Sequence, residues 1–214
     1  MPKPEIIGSL RSSYTRVIRM VCEEKGIDYV LTETALRAPE LMAIHPLGKM
    51  PVLRHGDFAL CESKAIASYL DRSFPGPQLI PSDPKLAALT EQWVSLVNTA
   101  MDPTLIRTYL FAYIAPGTAD GEPDRKVIDG MVPAIRQQIG ILDKAVSGTG
   151  HLVGDQYTFA DINLLPILYY VRQLPEGAAA LAAAIHLADY YDAHATRPSF
   201  ARTIPPAGPP RRAS

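Results

Sequence analysis

The chain has 214 residues, 47% of them hydrophobic and 20% charged, enough apolar material for one large or two small domains and too much for a disordered segment. Its 21 lysine and arginine residues stand against 22 aspartate and glutamate residues, so a formal charge of −1 gives no bulk attraction to nucleic acid or to an acidic membrane. Cys22 and Cys61 sit in apolar segments without CxxC spacing, and neither a disulfide framework nor a metal site is expected. The N-terminal "MPKPEIIGSL" has no apolar signal core, and the run "LLPILYYV" falls short of the ~20 residues of a membrane span, so a cytoplasmic protein with no membrane or nucleic-acid partner is expected.

The first third alternates short strands and helices. "EIIGSL" reads as a strand, and Val17, Ile18, Val21 and Cys22 form the i, i+3, i+4 stripe of a helix over residues 13–25 that Gly26 stops. "DYVLTE" is a second strand, and the helix between the two makes a right-handed βαβ unit with parallel strands. One short helix is expected in "RAPELMAI", then "PVLR" and "FALC" flank His55-Gly56-Asp57 as an antiparallel hairpin. Ile66, Tyr69 and Leu70 share one face of a third helix over residues 63–74. The sum is a four-stranded mixed sheet with helices, a thioredoxin-like arrangement.

The proline-rich "FPGPQLIPSDPK" reads as a linker, and beyond it the texture is helical. A long helix starting near Lys85 is expected to be kinked or interrupted at Pro103, and a second runs over residues 124–147. "TFAD" places Asp161 three residues after Thr158, a capping box with aspartate for glutamate. Residues 177–195 read as one alanine-rich helix, and "PPAGPPRRAS" as a disordered tail.

Three features carry chemistry. "LRSSYTRVIRM" clusters the hydroxyls of Ser12, Ser13, Tyr14 and Thr15 before a helix. In "HPLGKMPVL", Pro51 opens a strand; if its peptide bond is cis, the Met50 backbone becomes a free edge that can pair with a peptide, and if trans it merely begins the strand. In "CESKAI", Glu62 and Ser63 stand at a strand-to-helix junction where first-turn N–H groups suit a carboxylate; Ser63 either adds its hydroxyl or only caps its helix. His45 reads as a turn-former.

"RSSYTRVIRMVCEEKGIDY", "HPLGKMPVL" and "LCESKAIASYL", in this order and followed by helices with "TFADI", resemble the glutathione transferase superfamily. The resemblance extends to about Pro205. It implies a thioredoxin-like glutathione-binding domain over residues 1–76, an all-helical domain over 84–205, and a homodimer. Glutathione is then the cosubstrate: the Met50 backbone beside a cis Pro51 takes its cysteinyl part, Glu62 and Ser63 its γ-glutamyl end, and Lys49 and Arg37 the peptide's side.

In the theta, phi and zeta classes a serine at the end of the first strand hydrogen-bonds the glutathione sulfur. Counted back from Gly26, Ser12 takes that place as the catalytic residue, with Ser13 and Tyr14 as alternates near sulfur. Tyr14 occupies the position where beta and zeta relatives carry cysteine, which argues against thiol exchange. A small electrophilic, largely hydrophobic second substrate is expected between the domains, against Leu10, Arg11, Tyr109 and Tyr113; the alternative is that both tyrosines pack in the helical core. The implied activity is glutathione conjugation in detoxification or catabolism. A zeta-like glutathione-dependent isomerase and a non-catalytic binding protein of the same fold are the rival readings.

Overall fold

The computed structural model describes residues 2–119 and 121–207. They form two compact units: the chain up to Ile80 together with the stretch from Thr196 on, and Pro81–Ala195.

The first unit runs β1 (Glu5–Gly8), α1 (Ser13–Lys25), β2 (Val30–Glu33), α2 (Pro39–Met42), β3 (Val52–His55), β4 (Phe58–Cys61) and α3 (Ser63–Ser73). The sheet order is β2-β1-β3-β4, with β1 parallel to β2 and the other pairs antiparallel. Pleating divides the core: Ile7 and Val52 pack with Leu41 of α2, while Ile6 and Leu53 point to the opposite face, where α1 and α3 pack together. Gly26, at φ +66°, ends α1 by donating to the Cys22 and Glu23 carbonyls. A two-residue turn with Gly56 at φ +63° joins β3 to β4.

Lys25 and Asp71 form an ion pair at 3.0 Å with side chains 1% and 4% exposed. Asp71 also accepts the Leu79 and Ile80 N–H groups, and Lys25 donates to the Pro77 carbonyl, so the pair pins the proline-rich segment to this unit. Gly76 belongs to the same clasp, because at φ +114° an added Cβ would stand 2.7 Å from the Lys25 carbonyl oxygen.

The basic run after the hydroxyl cluster has a structural job. Buried Arg16 donates to the Thr203 hydroxyl and the Phe200 carbonyl and lies 4.2 Å over the Phe200 ring. Arg19 donates to the Thr203 and Arg202 carbonyls, and Arg197 makes a bidentate pair with Glu24. The carbonyls at the end of α10 (Pro198–Arg202) are thereby satisfied by guanidinium groups of α1. The stretch from Thr196 groups with the first compact unit. The tail expected over 205–214 lies, from residue 208 on, outside the described residues.

The second unit is helical. α4 (Pro84–Leu96) starts on Asp83, whose carboxylate accepts the Lys85 and Leu86 N–H groups. At Pro103 the chain widens rather than breaks: residues Val97–Leu110 wind as a π-helix before α5 (Phe111–Ile114). The wider turn accommodates a residue without an N–H, and the Pro103 carbonyl accepts the Thr108 hydroxyl at 2.9 Å. α6 spans Arg125–Val146, and α7 (Phe159–Val171) starts on the capping box of Thr158 and Asp161.

The alanine-rich stretch is two helices, α8 (Pro175–Ala182) and α9 (Ile185–Ala195). The Ala184 N–H closes α8 onto the Leu181 carbonyl, and the Leu187 N–H of the next first turn goes to the Asp143 carboxylate of α6. Among the described residues no helix is long and apolar enough to cross a membrane.

Candidate functional site

Ser12 is the N-cap of α1. Its extended backbone (φ −75°, ψ 125°) lets Oγ accept the Thr15 N–H at 3.2 Å, while its own N–H donates to the Ser9 carbonyl. Capping uses Oγ as an acceptor only, so the hydroxyl proton remains available for donation. The Ser9–Ser12 loop is further held by the Leu10 N–H on Glu33 Oε1 and the Arg11 N–H on Ser9 Oγ. β1 can deliver the chain so tightly because of Gly8, where a Cβ would meet Thr15 Oγ1 at 2.4 Å. Ser12 and Tyr14 are half-buried and Ser13 is buried, so Ser12 is the more accessible of the two serines.

A second helix start lies in the same unit. The Met50–Pro51 peptide is cis, and the β1–β3 ladder ends at Ile7 and Val52, leaving the half-buried Met50 beyond the paired residues. Across from Val52, Cys61 ends β4 and leads into Glu62, the N-cap of α3, at φ +70° and ψ 116°. No side chain caps this terminus, and Ser63 is the buried first residue of the helix rather than its cap. The dipole of α3 favours an anion at this end.

The Glu62 carboxylate is exposed, with one oxygen 3.3 Å from Nε2 of buried His45. His45 Nδ1 accepts the Leu47 N–H at 3.0 Å, as expected of a turn-former. Its contact with Glu62 is not expected from the sequence.

Arg37 and Lys49 are exposed cations on adjoining loops. The Arg37 N–H donates to the Gly48 carbonyl at 3.0 Å, and Gly48 lies so close that a Cβ would come within 2.9 Å of Arg37 Cα. The two cations thus sit on loops tied together beside Met50.

The four residues expected to line a second-substrate pocket have different surroundings. Arg11 turns to the C-terminal stretch and donates to the Pro206 and Ala207 carbonyls. Leu10 is half-buried before Ser12. Tyr109 is 0% exposed, its hydroxyl donating to Glu176 Oε2 and accepting the Gly177 N–H. Tyr113, half-buried, donates to the same Glu176 oxygen at 2.6 Å and accepts from Arg125. Burial alone would raise the Glu176 carboxyl, but hydrogen bonds from Tyr113, Arg125, its own backbone and Tyr109 outweigh it and hold it at about 2. Burial, with a smaller push from Glu23, drives the Cys22 thiol up to about 12, so this sulfur is packing material.

Comparison with known proteins accords with this geometry. The profile of the glutathione S-transferase N-terminal domain matches residues 6–78, and that of the C-terminal domain residues 88–198. Glutathione S-transferase 3 of Zea mays is 29% identical over 208 residues, covering 92% of each chain. A glutathione S-transferase of Arabidopsis thaliana is 32% identical over 168 residues, covering 75% of this chain and 76% of its own. Among solved structures, a Populus trichocarpa glutathione transferase superposes with TM-score 0.85 at 27% identity, over 94% of this chain and 97% of its own. The theta class enzyme of Xanthomonas axonopodis pv. citri, solved with glutathione bound, gives TM-score 0.82 at 25% identity, over 97% of this chain and 99% of its own. With two family domains in order along the same fold, the chain belongs to the glutathione S-transferase family.

Proposed function

We propose that the protein transfers glutathione, as its thiolate, to a small electrophilic and largely apolar compound, with Ser12 as the hydrogen-bond donor to sulfur. The supporting observation is at the start of α1: Ser12 Oγ accepts the Thr15 N–H, and its hydroxyl proton remains to be donated. The magnitudes suffice. A free thiol of pKa about 8.5 is about 3% thiolate at pH 7, and lowering it to about 6.5 raises that to about three quarters, for ~2.7 kcal/mol. A hydrogen bond to a charged sulfur contributes about 1.5–3 kcal/mol, and a helix N-terminus about 0.3–1.

In this reading Ser12 attacks nothing. The thiolate forms the C–S bond with an aryl halide, the carbon–halogen bond breaks, and halide departs with its electron pair. Met50 offers backbone to the cysteinyl unit, the α3 N-terminus with Ser63 takes the γ-glutamyl carboxylate, Glu62 faces its ammonium, and Arg37 with Lys49 attracts the glycyl carboxylate. Leu10 adds apolar surface for the electrophile. The free thiols Cys22 and Cys61 fit a reducing cytoplasm. Exposed Leu47 and Phe58 on the first unit support a homodimer, which sedimentation would test.

Ser12→Ala is expected to lower kcat/KM for conjugation of an aryl halide by about 10- to 100-fold while calorimetry still shows glutathione binding. Unchanged conjugation would remove Ser12 from this role.

A further inference from the structure

We propose that His45 is a positioning residue that fixes the Glu62 carboxylate for the ammonium group of the glutathione γ-glutamyl end. The inference rests on the placement of that end at Glu62 and adds the residue that holds Glu62 in place.

The two ring nitrogens have distinct tasks. Nδ1 accepts the Leu47 N–H at 3.0 Å and carries a lone pair, so the proton of the neutral ring is on Nε2. That nitrogen stands 3.3 Å from Glu62 Oε1. The ring is 3% exposed and clamped by the turn, whereas the Glu62 side chain is 69% exposed and has no other polar partner among the described residues. An exposed carboxylate samples several rotamers in water and pays ordering entropy when it meets a cation. A rigid, buried ring nitrogen in contact with one oxygen narrows those rotamers and leaves the second oxygen for a ligand. The backbone points the same way. Glu62 is held at φ +70°, in the region that favours glycine, so a side chain is kept there against backbone preference.

Two amide variants separate the tasks of the ring. In His45→Asn the amide oxygen stands in for Nδ1 and keeps the turn, but no donor reaches Glu62. In His45→Gln the amide nitrogen stands in for Nε2 and keeps the donor. The probes are glutathione and its analogue lacking the α-amino group, glutaryl-cysteinyl-glycine, with calorimetry for affinity and steady-state conjugation for kinetics. His45→Asn is expected to weaken glutathione about five- to tenfold, in KM rather than in kcat, and to leave the analogue's affinity unchanged. His45→Gln is expected to restore most of the loss.

Equal losses in the two variants, or equal losses for the two ligands, would overturn the proposal in favour of a purely structural histidine. Failure of the unaltered protein to bind glutathione would instead overturn the placement of the γ-glutamyl end. Loss of glutathione affinity in Glu62→Ala with none in His45→Asn would overturn the role of His45 alone.

Discussion

Helices α1 and α3 begin in the same unit and are finished in opposite ways. The first is capped by Ser12, whose oxygen takes the Thr15 N–H; the second starts at Glu62 with no side-chain cap, from a backbone in the left-handed region. One terminus satisfies itself and keeps a single proton to give. The other begins from a strained residue, at an end whose dipole favours an incoming anion. A third terminus, that of α8, carries an internal carboxylate: Glu176 lies in its first turn, held by Tyr109, Tyr113 and Arg125. A carboxylate from the chain at α8 does what a ligand carboxylate is proposed to do at α3.

The contrast can be broken first at Gly8. Gly8→Ala places a methyl 2.4 Å from Thr15 Oγ1, to which the buried Thr15 side chain or the first turn of α1 must yield. Destabilisation of about 1–3 kcal/mol is expected, read as a lower denaturation midpoint, together with loss of conjugation as the Ser12 cap shifts. Glu62→Gly works in the other direction at α3. Removing the side chain relieves the positive φ, so stability is expected to rise by about 1 kcal/mol while glutathione affinity falls about tenfold. A fall in both would mean that Glu62 is there for stability.

At α8 the effect depends on pH. The folded Glu176 carboxyl, at about 2, titrates below its unfolded value of about 4.3. Its contribution is therefore complete above the unfolded value and is lost as pH falls from there towards 2. Glu176→Gln should flatten this part of the acid limb, measured by thermal midpoints across the range. The smallest effect is expected at the exposed cations. Lys49→Ala and Arg37→Ala should each raise KM for glutathione only a few-fold and weaken its dependence on ionic strength.

How much of this could be read from the sequence followed the range of the interactions. The β1–α1–β2 unit, the hairpin, the Gly26 stop and the Thr158–Asp161 capping box depend on residues a few positions apart, and they form where expected. Other features are set from a distance. Arg16 and Arg19 draw the C-terminal stretch onto α1, Asp143 helps to start α9 and so divides the alanine-rich stretch, and Glu176 takes the Tyr109 hydroxyl. In the candidate site, "RSSYT" and "CES" pointed to two helix starts, since capping chemistry is local. The positive φ of Glu62 and its contact with His45 were not legible, because nothing adjacent to Glu62 in sequence imposes either.

The most direct test of the account is the ionisation of glutathione while bound, followed by the ultraviolet absorbance of the thiolate as pH is varied. On the unaltered protein the thiol should titrate near pH 6.5, about two units below the free thiol, and on Ser12→Ala it should move back by about one to two units with glutathione still bound. A bound thiol that titrates at the same pH in both proteins would contradict the account.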